Sequence, residues 1–233
     1  MMTDAGKILM LIPARGGSKR LPRKNILPMA GKPLICWTIE AALATELDAR
    51  IMVSSDDEEV LDIAHQYSSR GVVAYRRPDE LATDTASTVE VVIDAINAEK
   101  AQGYEPKIII LLQPTSPLRT TEDIHASLKV FEEGGRKDTV VSVCEVDHPT
   151  AWVGYIEKHS YLDGVDFSGA RSQDYKKEYC LNGAIYVADV DLLCKQSSLF
   201  TTRVKAAVMP RIRSIDIDSI EDFELSEAVF GVR

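Results

Sequence analysis

ILMLIPARGGSKRLPRKN, residues 8 to 25, opens with an apolar run, Ile8 to Ile12, and then places five cations in ten positions: Arg15, Lys19, Arg20, Arg23 and Lys24. The run has the continuous apolar character of a strand buried on both faces. The Gly16-Gly17 pair that follows allows backbone N–H groups to turn inward as an anion-binding nest. Such local charge on a chain of net charge −9 reads as a receptor for a polyanion, and a nucleotide triphosphate is the guest that fits. A bare Gly-Gly among Lys and Arg is more often a solvated loop. What distinguishes this one is the order of its parts: strand, glycine turn, spaced cations, then Asn25. Two familiar phosphate fingerprints are absent, because Gly16-Gly17 lacks the third glycine of a dinucleotide turn and Gly31-Lys32 is followed by Pro33 instead of Ser or Thr.

Outward from this loop, apolar strand-like runs alternate with helical patterns. Ile51 to Ser55 leads into Asp56-Asp-Glu-Glu, where acidic residues suit a helix N-terminus, and Val60, Ala64 and Tyr67 then repeat on one helical face up to Gly71. Val72 to Tyr75 reads as a strand, and Ser87-x-x-Glu90 as a capping box ahead of Val89, Val92, Ile93 and Ile96. Lys107 to Leu112 is a buried strand of the parallel-sheet type, Ile124, Leu128 and Phe131 mark a helix ended by Gly134, and Thr139 to Cys144 is the next strand. The alternation predicts a mostly parallel α/β sheet with helices on both faces, binding its ligand beyond the carboxyl ends of the strands. From about Glu145 to Leu181 the pattern gives way to a polar, aromatic-dotted segment with too few aliphatic residues for a core of its own. We read it as an insertion that packs against a second subunit, within one domain spanning 1–233. Order returns at Gly183-Ala-Ile-Tyr-Val, runs through Val204 to Met209, and ends in a helix opened by Ser219-x-x-Asp222.

Composition narrows the function. The 233 residues, 45% hydrophobic, suit one large α/β domain. No apolar run approaches the roughly 20 residues that span a bilayer, and MMTDAGK lacks a signal-peptide core, so no membrane association and a cytoplasmic location are expected. Cys36, Cys144, Cys180 and Cys194 have no zinc spacing and read as reduced, mostly packing thiols. A pI near 5.0 without a second basic patch argues against nucleic-acid binding. No Ser-His-Asp or Cys-His arrangement suggests a nucleophilic enzyme.

Two further stretches carry chemistry. Ser214-Ile-Asp-Ile-Asp218, read as an extended strand, puts Asp216 and Asp218 on one face and Ile215 and Ile217 on the core side. Two carboxylates so spaced suit Mg²⁺, which keeps several waters and binds one or two carboxylates plus substrate phosphates. An exposed strand edge of alternating polarity is the plain alternative. Leu111-Leu-Gln-Pro-Thr-Ser-Pro-Leu-Arg119 follows a buried strand with two stiffening prolines, holding Gln113, Thr115 and Ser116 where they can read hydroxyls. Asn182-Gly183 carries less information and is readable as a simple turn into a strand.

Taken in order, IPARGGSKRLPRKN, GKPLI, SSDDEEV, RRPDELATDTAST, LLQPTSPLR, NGAIYV and SIDID resemble the acylneuraminate cytidylyltransferases, the CMP-sialic acid synthetase family, over nearly the whole chain. The resemblance implies a Rossmann-like nucleotidyltransferase fold, a homodimer, and the joining of CTP to a nine-carbon 2-keto sugar acid with release of pyrophosphate. It implies that Arg15, Ser18, Lys24 and Asn25 hold the triphosphate with the Gly16-Gly17 turn, and that Arg77 and Thr88 enclose the cytidine. Gln113, Asn182 and Tyr186 match positions near the sugar, Leu199 and Phe200 the apolar pocket for its acyl group, and Asp216 and Asp218 the metal carboxylates. Bacterial sialic acid enzymes often carry a Lys after the His-Pro of the insertion and an Arg two residues before the Asn-Gly, where this chain has Trp152 and Cys180. That leaves Arg171 to grip the sugar carboxylate and keeps legionaminic and pseudaminic acid open beside sialic acid. Alternatives are a cytidylyltransferase for the eight-carbon Kdo and a catalytically silent nucleotide-sensing dimer on the same fold.

Overall fold

The computed structural model describes residues 7–18, 20–83 and 85–231. Lys19 of the basic run and Asp84 lie outside the described residues. In chain order the strands are β1 (Ile8–Pro13), β2 (Pro28–Met29), β3 (Lys32–Pro33), β4 (Ala49–Ser55), β5 (Val72–Arg76), β6 (Ile108–Leu112), β7 (Thr139–Glu145), β8 (Tyr155–Ile156), β9 (Leu162–Asp163), β10 (Tyr179–Asp189) and β11 (Val204–Val208). The helices are α1 (Leu34–Leu43), α2 (Glu58–His65), α3 (Thr88–Ala101), α4 (Thr121–Glu133), α5 (Val190–Gln196) and α6 (Ile220–Gly231).

Seven strands form one sheet in the order β11-β7-β10-β6-β1-β4-β5. All pairs are parallel except the two made by β10, which runs antiparallel to β6 and to β7. The alternation of side chains along β1 explains the layers. Met10 and Ile12 pack with Ile35 and Ile39 of α1 and Ile124 and Phe131 of α4, while Leu9 and Leu11 pack with Val92, Ala95 and Ile96 of α3. Both faces are covered, which is why β1 and β6 are apolar at every position.

Helix starts are as the sequence reads them. Asp57 accepts from the N–H groups of Glu59 and Val60, at 2.9 and 3.4 Å, and opens α2. Ser87 and Glu90 cap α3 reciprocally, with Glu90 N–H donating to Ser87 Oγ at 3.2 Å and Ser87 N–H to Glu90 Oε2 at 2.7 Å. Ser219 and Asp222 do the same for α6. Between β7 and β10 the chain leaves the sheet. It carries the small antiparallel pair β8–β9 and leaves Tyr155, Ile156, Tyr161 and Phe167 exposed. The ladder resumes at Tyr179, inside the stretch read as insertion, because β10 starts three residues before Asn182.

From β1 the chain builds β4 and β5 on one side and then crosses to β6 on the other. In a sheet of this kind, the crevice at such a reversal is where ligands bind.

Candidate active site

A cavity of about 650 Å³ opens at that reversal, beyond the carboxyl ends of β1 and β6. From the basic loop it is lined by Arg15, Ser18, Lys24 and Asn25, and from the stretch after β5 by Arg77 and Thr88. Gln113, Tyr186, Asp216 and Asp218 complete the wall opposite. Ten of the residues singled out from sequence therefore converge on one space, although Lys24 and Asp218 lie 194 positions apart.

The glycine turn differs from its reading. Neither Gly16 nor Gly17 has a positive φ, so the alternating backbone of a nest is not formed. Gly16 N–H donates instead to Asp56 Oδ1 at 3.1 Å, and a Cβ on Gly16 would stand 2.7 Å from Asp57 Oδ2. Gly16 is thus required by the close approach of the α2 cap, while Gly17 has open space around it. The cations also have divided tasks. Arg23 turns away to Glu59 at 2.8 Å, whereas Arg20 and Lys24 reach Asp218 at 2.7 and 3.4 Å. Asn25 is buried, and its amide nitrogen donates to Arg15 O at 3.0 Å, while its Oδ1 has no partner. Asn25 lines the cavity, but its unpaired carbonyl oxygen is itself buried, and as an acceptor it is unsuited to a phosphate oxygen.

Residues 214–218 are not a strand. They form an irregular extended segment with no ladder partner, held by contacts at single points. Ile217 is fully buried against Met29, Leu34 and Phe223, its N–H donates to Thr115 O at 2.8 Å, and its carbonyl accepts from Lys24 Nζ at 2.6 Å. Ile215, expected on the core side, is only half-buried. Without a sheet to impose it, strict alternation is relaxed, but Asp216 and Asp218 still line the cavity. Although Asp216 is open to the cavity, desolvation by the protein around it pushes the carboxyl up, against a hydrogen bond from Thr115, and the charge of Asp218 adds to the rise. Among the described residues no three His, Cys, Asp or Glu side chains converge, so a closed protein cage is not the donor set. Two repelling carboxylates beside cationic residues fit a hard divalent ion that takes its other ligands from phosphate and water.

Asn182 and Leu199 have other roles than those read from sequence. Asn182 Nδ2 donates to Ser214 Oγ at 2.8 Å, and Oδ1 accepts from Ser142 Oγ at 2.6 Å and Ala184 N–H at 3.2 Å. Both ends of the amide are engaged inside the protein, tying the Asp216 segment to β7 rather than facing a sugar. The positive φ of Gly183, where the β10–β7 register shifts, makes this bulge possible. Leu199 is buried in the core layer with α3 and α5, while Phe200 is exposed and meets Tyr186 edge-on at 6.2 Å. Of the three, only Tyr186 lines the cavity, with Phe200 packed edge-on behind it. Arg171 is outside the cavity, in the excursion between β7 and β10.

The burial of two cations escaped the sequence reading: Arg119 was given no role, and Arg77 was read only as a ligand contact. Arg119, with 3% exposure, donates to the carbonyls of Gln113 and Ala184, both at 3.0 Å, and to Thr38 Oγ1 at 2.7 Å. Burial pushes it down to about 9, so it stays protonated at neutral pH and locks the loop that presents Gln113. Arg77 is similarly enclosed, donating twice to Ser54, and forms a rigid part of the floor. Further out, Arg213 makes a two-pronged bond to Asp123, Nε to Oδ2 and an Nη to Oδ1, both at 2.8 Å. Burial pushes Asp123 up, but its bonds from Arg213 and Thr120 outweigh this and hold the carboxyl below its usual range. The stability it contributes is present above the ordinary Asp value of about 3.9 and is lost as pH falls through the lower folded value. Arg213→Ala should cost about 2 kcal/mol by leaving Asp123 buried without its partner. Denaturant unfolding at pH 7 and pH 3 checks this: the difference from wild type should shrink at the lower pH, and an equal cost at both would refute the ion-pair account.

The comparisons agree with this geometry. A family model described as Cytidylyltransferase matches residues 9–224. The chain belongs to this cytidylyltransferase family. It is a nucleotidyltransferase by that membership. A CMP-N,N'-diacetyllegionaminic acid synthase of Legionella pneumophila is 35% identical over 95% of both chains. A pseudaminic acid cytidylyltransferase of Campylobacter jejuni is 32% identical over 97% of both. An N-acylneuraminate cytidylyltransferase of Escherichia coli O18:K1:H7 is 35% identical over 94% of this cytidylyltransferase but only 51% of its own length. In fold, a CMP:2-keto-3-deoxy-manno-octonic acid synthetase complexed with CTP superposes with a TM-score of 0.73 at 20% identity, covering 97% of this chain and 99% of the other. Among the described residues no helix is long and apolar enough to cross a membrane.

Proposed function

We propose that the chain couples CTP to the anomeric hydroxyl of a nine-carbon 2-keto-3-deoxy sugar acid, giving a CMP-sugar and pyrophosphate in the cytoplasm. The observation that carries this reading is the meeting of the basic loop with Asp216 and Asp218 in one cavity. The sugar hydroxyl attacks the α-phosphorus, and the bond to the bridging oxygen of the β-phosphate breaks. Arg15 and Lys24 stabilise the charge that builds on the departing pyrophosphate. Arg77 and Thr88 bound the nucleoside side of the cavity, Gln113 faces the sugar, and Tyr186, backed by Phe200, offers an apolar wall to its acyl group. Asp216 and Asp218 would hold Mg²⁺, which supplies charge neutralisation at the phosphates. The relatives named for legionaminic, pseudaminic and neuraminic acids favour a nine-carbon substrate, and the likeness to the octonic acid enzyme is one of fold.

Pyrophosphate release with CTP, Mg²⁺ and a panel of sialic, legionaminic, pseudaminic and Kdo acids tests the proposal. Release with at least one nine-carbon acid above the Kdo rate is expected. No release with any of them would leave the nucleotide-sensing alternative.

The excursion between β7 and β10 leads to a homodimer. Its side chains include Tyr155 and Ile156, with 77% and 81% exposure, and a two-fold contact would bury such a patch against its own copy. Arg171 of one subunit would then grip the sugar carboxylate in the other subunit's site, since a guanidinium meets a carboxylate with two parallel bonds. Mixing Arg171→Ala protein with Lys24→Ala protein should restore activity through mixed dimers having one intact site. No recovery after verified subunit exchange would reject the shared site.

A further inference from the structure

The proposed reaction makes no use of Cys144 and Cys180, and yet these two thiols lie together, Sγ to Sγ 3.6 Å, at directly paired positions of β7 and β10. Cys144 is buried and Cys180 exposed, and both are free. Their backbone geometry suits a bond. Val146 N–H donates to Glu178 O at 3.1 Å, which makes 146/178 a hydrogen-bonded pair and 144/180, two residues along in both strands, another. Such pairs hold their Cα atoms about 5.5 Å apart, inside the range of about 4.4 to 6.8 Å that a disulfide spans.

The pair also adjoins the anchor of the metal carboxylates. Two residues on from each cysteine, on the same faces of the strands, Ser142 Oγ donates to Asn182 Oδ1, and Asn182 in turn holds Ser214. We propose that Cys144 and Cys180 are a reversible oxidation site, and that closing their disulfide loosens the Ser214–Asp218 segment and lowers activity.

With glutathione disulfide as oxidant the chemistry balances. The Cys180 thiolate, formed by loss of its proton to water, attacks one sulfur of the oxidant, and the oxidant's S–S bond breaks to release one glutathione thiolate. Cys144 then gives up its proton and attacks the Cys180 sulfur of the mixed disulfide, releasing the second glutathione. Two protein thiols are oxidised by two electrons and one glutathione disulfide is reduced to two thiols. Cys180 attacks first because it is accessible, whereas burial pushes the Cys144 thiol up and suits it to the second step. The new bond draws the two strands together beside Asn182, whose amide links Ser142 to Ser214.

The test begins with reduced protein exposed to glutathione disulfide, after which remaining thiols are blocked with a maleimide and mapped by mass spectrometry. The expected product is lighter by two hydrogens, with Cys144 joined to Cys180 and with Cys36 and Cys194 labelled. A glutathione adduct that persists on Cys180 while Cys144 stays free, or linkage through another cysteine, overturns the site. Oxidised protein should show faster amide exchange over residues 214–218 than reduced protein. Its pyrophosphate release should fall by about tenfold, within the loss that an ångström of misplacement brings, and a dithiol should restore it. Cys180→Ser should keep the reduced rate and lose the response. The activity arm rests on the function proposed above, but the disulfide map and amide exchange do not. A reduced protein inactive with every sugar acid therefore counts against that function alone, and a mapped disulfide with unchanged exchange overturns the coupling.

Discussion

Asp218→Asn should lower turnover by about three orders of magnitude, equivalent to about 4 kcal/mol, with the fold intact. In the ligand-free chain this carboxylate is already compensated by Arg20 and Lys24. Its pair with Arg20 is open to water, with 73% and 51% side-chain exposure, so its loss costs stability little. A change of about 1 kcal/mol moves the melting temperature of a domain this size by only about 2 to 4 °C. The large effect belongs to the loaded site, where one carboxylate fewer weakens the hold on Mg²⁺ and with it the compensation of phosphate charge. Asp216→Asn should act in the same direction, and a chelator should reproduce either loss in the wild type. Pyrophosphate release across a Mg²⁺ titration measures it. Normal rates at ordinary Mg²⁺ in both single mutants would reduce the pair to a polar rim of the cavity.

Lys24→Ala should cost about two orders of magnitude, or about 3 kcal/mol, the usual penalty for deleting one preorganised charge aimed at a developing anion. Arg15→Ala should behave alike. Lys24 has a second role that the measurement must separate, since its ammonium also holds the Ile217 carbonyl at 2.6 Å. If position of the Asp segment were all that mattered, Arg213→Ala, which loosens the same segment from the far side, would lose as much rate. A kcat deficit in Lys24→Ala well beyond that of Arg213→Ala assigns the loss to charge on the leaving group. Near-normal turnover in Lys24→Ala would return the basic loop to the status of a solvated surface.

The layers of the sheet and the helix starts at Asp57, Ser87 and Ser219 were legible in the residues, whereas the placing of the basic loop and the Asp pair in one site came from the resemblance. Each of those legible features depends on local pattern: unbroken apolar runs, Ser three residues before an acid, and an acidic cluster at a helix start. What could not be read depends on bonds between distant positions. Asn182 looks like a ligand contact until Ser142 and Ser214 are seen on its two ends. Arg213 is an ordinary surface cation in sequence, and its partner Asp123 lies 90 positions away. Arg119 had one signal, its place at the end of a proline-stiffened loop, but nothing in the string distinguishes a buried guanidinium from an exposed one. The segment at Ser214 was read as a strand because alternation is the strand's signature. An isolated extended segment shares it when only one of its apolar residues, here Ile217, enters the core.

The clasp between Lys24 and the Ile217–Asp218 backbone spans nearly the full run of the fold, 193 positions for the carbonyl bond. During synthesis, every strand of the central sheet has emerged before the second half of this clasp exists. The finished cavity is therefore a late event in folding, reached after the sheet has closed. The same separation makes it an early point of opening, because little besides Ile217, the Ser214 anchors and these polar bonds holds the segment down. A nucleotide and ion bridging both halves would act as a cross-link present only in the folded state. At about 100 times its dissociation constant, such a ligand adds about 2.7 kcal/mol to the unfolding free energy. The substrate that the cavity processes would thus also be a guardian of the chain, protecting the segment at Ser214 from proteolysis when nucleotide is plentiful and exposing it when nucleotide runs short.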